Sequence, residues 1–288
     1  MAKNSVLILL FLLALCACAS GPQTAYNQGV EQYALGHVKS CVEDYRQAIF
    51  LQPTDLRPKF NLAVLYQDQG RLDKAQKLYR EIVRQDPGFS AAWSNLAAIE
   101  EKRGMIAEAQ KLHLRAMQAD GGSCAPASQF GFFLLRRGQD SEAGRVFEKS
   151  VQRDSRCANG WFGLGLLAEA KGDPRAALQD YDKDSIYNPE DVQAYLRSAN
   201  ILISRGDTQR AAGVLDKAIE RAPRSPDVNL RLGTLLLRNG ELKRAEKALD
   251  LARKAGAAPG LCEQKLCEVY QKLSLRSEGK VKGFSASK

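Results

Sequence analysis

Seven glycines stand 34 residues apart in this chain: Gly36, Gly70, Gly104, Gly138, Gly172, Gly206 and Gly240. No insertion breaks that period between residues 22 and 259, so seven equal units follow one another: 22–55, 56–89, 90–123, 124–157, 158–191, 192–225 and 226–259. The eighth position of each unit is small: Gly29, Ala63, Ala97, Gly131, Gly165, Ala199 and Gly233. The twentieth is Cys41 in the first unit and alanine in the others. The twenty-fourth is large: Tyr45, Tyr79, His113, Phe147, Tyr181, Leu215 and Leu249. Apolar residues at helical spacing give each unit two amphipathic helices. The glycine ends the first, where a left-handed residue without a Cβ costs nothing. Small residues at positions 8 and 20 let the helices approach, and the large one at 24 fills the space between units. Pro53, Pro87, Pro189 and Pro223 stop the second helix. One such unit cannot bury its own apolar faces, so the core must come from stacking.

This pattern resembles the tetratricopeptide repeat. The resemblance implies an all-α fold, a right-handed superhelical solenoid of about seven helix-turn-helix repeats. Residues 260–273 then read as a capping helix that covers the last apolar face, and 274–288 as a basic, disordered tail. Three units depart from the pattern at the turn proline, with Gly121, Ser155 and Ala257 in its place. Position 27 holds Asp184 where the other units have Ala48, Ile82, Ala116, Ser150, Ala218 and Ala252. A buried, unpaired carboxylate is costly, so a locally rotated helix that exposes Asp184 is expected.

Residues 1–17 read as an export signal: Lys3 supplies the positive region, and Val6 to Leu15 is an apolar run too short to span a bilayer. The exit Leu15-Cys16-Ala17-Cys18 resembles the bacterial lipobox. That resemblance implies lipidation of Cys18, an 18–21 tether, and, from Ala19, sorting to the outer membrane facing the periplasm. Four residues reach at most about 14 Å, which holds the folded part against the membrane surface.

In an oxidising compartment the remaining cysteines tend to pair. Cys41 reads as a packing thiol. Cys124 and Cys157 open and close the fourth unit at the entrances of consecutive first helices, and a disulfide there would brace turns that lack proline. Cys262 and Cys267 face different directions within one helix and could pair only if Cys262 lies in the preceding loop. No CxxC or histidine partner accompanies either pair, which argues against a metal site.

In the resembled fold the first helices line a concave groove. Position 6 carries Asn27, Asn61, Asn95 and Gln129, then Gly163, Arg197 and Arg231. Exposed primary amides both donate and accept, so this ladder suits the backbone of an extended peptide. Tyr26, Phe60 and Phe132 offer apolar contacts, and Arg136, Arg197, Arg231 and Arg238, opposed by Glu169 and Asp227, suit an acidic partner. The carboxylate-clamp pattern of chaperone-binding relatives is absent, since position 5 of the first unit is Tyr26 rather than lysine.

Nothing points to catalysis. The chain has two histidines, His37 beside a capping glycine and His113 at a core position, and it carries no nucleophile elbow, zinc motif or phosphate loop. No cofactor is implied. The net charge of +9 does not indicate nucleic acid, because export removes that partner. The expectation is a membrane-anchored scaffold that binds protein or peptide partners. The segment Gln129-Phe-Gly-Phe-Phe-Leu134 is similar to one in pilotin-type lipoproteins, which implies assembly of a type IV pilus secretin; the tight-adherence pilus also employs a repeat lipoprotein. The alternative is an adaptor that brings cell-wall hydrolases or proteases to their substrates.

Overall fold

A computed structural model describes residues 21–119 and 121–285. Among them are fifteen helices and no strand. In chain order they are α1 (Pro22–Ala34), α2 (Val38–Leu51), α3 (Leu56–Asp68), α4 (Leu72–Gln85), α5 (Ser90–Lys102), α6 (Ile106–Gln118), α7 (Ala125–Arg136), α8 (Asp140–Arg153), α9 (Ala158–Ala170), α10 (Pro174–Tyr187), α11 (Val192–Ser204), α12 (Thr208–Arg221), α13 (Pro226–Arg238), α14 (Leu242–Lys254) and α15 (Pro259–Ser285). The described residues up to Phe130 form one compact unit and those from Gly131 a second, the boundary falling within α7. The export signal and Cys18 lie outside the described residues.

The glycine at position 15 ends the first helix of each hairpin, as its spacing implies. Gly36 has φ 73°. Its N–H donates to the Tyr33 carbonyl, and the N–H of His37 to that of Gln32. These two bonds satisfy the last carbonyls of α1 and turn the chain straight into α2. All seven period glycines lie in the same left-handed region.

The turn between one hairpin and the next is fixed from position 4. Trp93 donates its indole N–H to the Pro87 carbonyl at 2.9 Å, and Trp161 donates to the Ser155 carbonyl at 2.8 Å. The Asn229 amide reaches the Pro223 carbonyl at 3.0 Å. The bond is made to a carbonyl, so the turn survives the loss of proline at Ser155.

In the first unit the hairpins α1/α2, α3/α4 and α5/α6 share a core that includes Cys41, Tyr45, Leu62, Leu65, Tyr79, Ile82 and Leu96. The face that α3 and α5 bury toward the preceding hairpin carries Leu62 and Leu65, then Leu96 and Ile99. The same positions of α1 are Gln28 and Glu31, both exposed. These two positions of α1 are therefore polar where later hairpins are apolar, while Val30 and Tyr33 of the same helix are exposed apolar side chains.

In the second unit the core gathers Leu215, Leu232, Leu235, Leu236 and Leu249, and Leu266 and Val269 of α15 close it. The last helix does not stop at Leu273, as the sequence reading expected, but runs to Ser285. No proline follows Leu273, and Leu275, Arg276, Glu278 and Lys280 are helix-compatible residues. Cys262 is buried and Cys267 exposed, both as free thiols. The condition for pairing these two, Cys262 in the preceding loop, is not met: both lie inside α15, where five residues of helix set them about 140° apart, as a single helix implies. Burial pushes the Cys262 thiol up. Cys41 is a buried free thiol, also raised by burial.

Asp184 is the other correction. It is buried at 1% exposure in a regular turn of α10, and its Oδ2 has no hydrogen-bond partner among the described residues. No rotation of the helix relieves it, because Ala177 and Tyr181 on the same face are themselves locked in the core. Burial, then the nearby Asp191 carboxylate, pushes the Asp184 carboxyl up to about 7. The folded state thus holds a proton that the unfolded chain releases near pH 4. Stability on this account is full below that pH, falls as pH rises, and is lost through pH 7. Asp184→Asn should stabilise the protein by about 1–3 kcal/mol at pH 8 and by little at pH 4. Urea denaturation at the two pH values measures it.

Candidate functional site

The groove positions take their chemistry from the large side chain at position 24. In the first unit the Tyr45 ring stands against Gly29, where an added Cβ would sit 2.6 Å from it. The ring thereby extends past α1, and its hydroxyl accepts from Asn61 Nδ2 of the next hairpin at 3.4 Å. Tyr26 accepts from the same amide at 3.3 Å. One hairpin on, the Tyr79 hydroxyl accepts from Asn95 Nδ2 at 2.9 Å. Burial drives Tyr45 up to about 12, against the lowering effect of the Asn61 bond, and raises Tyr79 as well. Both hydroxyls therefore keep a proton of their own.

The amide ladder is consequently not a row of free amides. Asn27 is exposed and accepts from Gln23 at 2.8 Å. Asn61 and Asn95 are half-buried and tie adjacent hairpins together. What the groove offers there is the amide carbonyl, an acceptor, beside a tyrosine hydroxyl, a donor. Gln129 of α7 is exposed. Tyr26 and Phe60 are half-buried rather than open: Arg57 lies 5.1 Å over Tyr26, and Phe60 packs against Tyr79 and Phe89 at 5.7 and 5.1 Å.

In the second unit the same register carries different chemistry. Phe147 has no hydroxyl, and the residue sixteen positions on is Gly163. The ring fills the space that a side chain there would need, with a Cβ meeting it at 2.4 Å. Phe132 packs edge-on against Phe147 at 5.0 Å and lies 6.3 Å from Phe162. Tyr181 has its hydroxyl and donates to Glu169 at 2.6 Å, and Arg197 meets the same carboxylate at 3.1 Å. The Tyr181 phenol is raised by burial and then by Glu169.

At the next step position 24 is Leu215, with no ring or hydroxyl to reach the groove, and position 5 is Leu196 and then Leu230. A groove of about 570 Å³ opens here between α11 and α13. The apolar Leu196, Ile203 and Leu230 line it together with Arg197, Arg231, Arg238 and Asp227. Arg231 bonds the Asn200 carbonyl. Arg238 is exposed in the last turn of α13. The structure thus brings three of the four arginines singled out in the sequence into one groove. Arg136 lies apart from it, exposed at the end of α7. The sequence reading missed the tyrosine hydroxyls and Asn200. The spacing of sixteen between each position-24 residue and its partner was the available signal.

Among the described residues no group of three or more histidine, cysteine or acidic side chains is placed to hold a metal ion, and no helix is long and apolar enough to cross a membrane.

Two family models described as tetratricopeptide repeat match the sequence, one over residues 34–99 and 202–259, the other over 134–189 and 172–226. Comparison with curated proteins finds no match. Among solved structures, a tetratricopeptide repeat protein from Parabacteroides merdae is 15% identical with a TM-score of 0.55, covering 86% of this chain and 98% of that one. Pseudomonas aeruginosa PilF is 17% identical with a TM-score of 0.58, over 74% of this chain and 97% of its own. A thermophilic repeat protein of Thermus thermophilus is 19% identical with a TM-score of 0.53, over 64% of this chain and 100% of its own. At these identities the likeness is one of fold.

The asparagine bonds give a direct test. Asn95→Ala removes an amide that ties two hairpins and should cost about 0.5–1.5 kcal/mol. Asn27→Ala, at an exposed helical site, should stay within about 0.5 kcal/mol of the parent. Denaturant midpoints of the two variants decide between a bonded amide and a solvated one.

Proposed function

The chain belongs to the tetratricopeptide repeat family, and from that premise we propose that it is a lipid-anchored scaffold of the bacterial envelope that holds protein partners along its first helices. Proteins of this family are generally non-enzymatic scaffolds for protein–protein contact. The observation that carries the proposal is the groove between α11 and α13, lined by Leu196, Ile203 and Leu230 together with three arginines. An extended partner segment with acidic residues fits that chemistry. The partner we favour is a component of a pilus or secretin assembly of the type IV or tight-adherence kind. Support for that choice is the segment Gln129–Leu134 and its similarity to pilotin-type lipoproteins.

Photo-crosslinking from Asn200, inside the groove, identifies the partner in intact cells. The double reversal Arg197→Glu with Arg231→Glu should then weaken that partner about tenfold at low salt and by less at high salt. An unchanged affinity places the partner elsewhere on the protein.

The anchor and the compartment belong to the same proposal. Cys18→Ser should leave the protein unlipidated and in the soluble periplasmic fraction. If Cys16→Ser removes the lipid instead, the acylated residue is not Cys18. In an oxidising periplasm Cys124 and Cys157 should be recovered as one linked peptide pair under non-reducing conditions, and free alkylation of both argues against the bridge.

A further inference from the structure

We propose that the end of the first hairpin formed by Phe50 to Thr54 lies in the headgroup region of the bilayer to which the chain is tethered. Phe50 is 83% exposed, the most exposed large apolar side chain among residues 21–119 and 121–274, and Leu51 beside it is 38% exposed. Gln52, Pro53 and Thr54 follow, all exposed, so five consecutive surface residues carry no charge. The matching stretch of the second hairpin is Arg84-Gln85-Asp86-Pro87-Gly88, with two charges and no apolar ring. At the position of Phe50 the other two hairpins of this unit have Arg84 and Gln118.

The placement of this tip names its occupant. Helices α1 and α2 run antiparallel, so the end of α2 stands beside the start of α1. The contacts show it directly: Arg57 donates to Gln23 at 3.0 Å and pairs with Asp55 at 2.7 Å, which holds the turn after Leu51 against the first turn of α1. Gly21, where the described chain begins, is at this same end. Cys18 to Gly21 reach at most about 14 Å. An acyl anchor on Cys18 would therefore hold this uncharged tip, together with the first turn of α1, at the membrane surface. An aromatic and a leucine at such a tip partition into the zone between headgroups and chains.

This inference rests on the anchoring proposed above, and its test separates the two. Full-length lipidated protein is reconstituted into vesicles of equal parts phosphatidylethanolamine and phosphatidylglycerol. Phe50→Trp adds a fluorophore to the unchanged Trp93 and Trp161, whose signal is subtracted. Lipids brominated near the headgroup should quench the added tryptophan about twofold or more, while Gln118→Trp, at the equivalent position of the third hairpin, should respond only to aqueous acrylamide. Protein that floats with the vesicles but leaves the residue-50 tryptophan open to acrylamide overturns the contact alone. Protein that does not float overturns both the anchor and the contact.

Discussion

Each hairpin depends on one large side chain set against one small one. The residue at position 24 crosses from the second helix onto position 8 of the first, and the fit leaves no room: an added Cβ at Gly29, Gly131, Gly165 or Gly233 would lie 2.5–2.6 Å from the facing ring or leucine. Packing of this density tolerates little growth in volume, and overfilling such a site typically costs about 1–3 kcal/mol. The contact sets how closely the two helices stand. It also decides how far the large side chain projects beyond the first helix, and so what meets the following hairpin.

Function is written onto the same contact. A tyrosine projects a hydroxyl, and the next hairpin supplies Asn61 or Asn95 to bond it, or Arg197 to share a carboxylate with it. A phenylalanine projects only a ring, and the next hairpin yields with Gly163. A leucine projects nothing, and a groove lined by leucines and arginines opens. The variation that gives the first helices different chemistry along the chain is thus a by-product of how each hairpin is closed.

The period made most of the fold legible. The helices of the seven hairpins and the left-handed glycines follow from spacing, because each depends on residues close in sequence. What stayed hidden depends on atoms brought together across hairpins. Asn61 and Asn95 looked like solvated amides because nothing in a single helix shows that a hydroxyl sixteen residues earlier arrives beside them. Asp184 looked like a residue that must turn outward, since the energetic rule is sound; the surrounding packing outweighs it and the carboxyl adapts by holding its proton. The extent of α15 lies in a basic segment whose charges resemble those of a solvated tail, yet no proline breaks the helix before Ser285.

The two polar positions of α1 have a consequence of another kind. A stack of similar units is in principle an open polymer, since every unit is shaped to receive another. Gln28 and Glu31 stand where later hairpins place leucine and isoleucine, so a foreign hairpin arriving at that face would have to strip water from groups it cannot bond. End-on addition of another copy would therefore cost more at those two positions than at a leucine-lined face, and two side chains suffice to make one end of a modular stack unlike its interior.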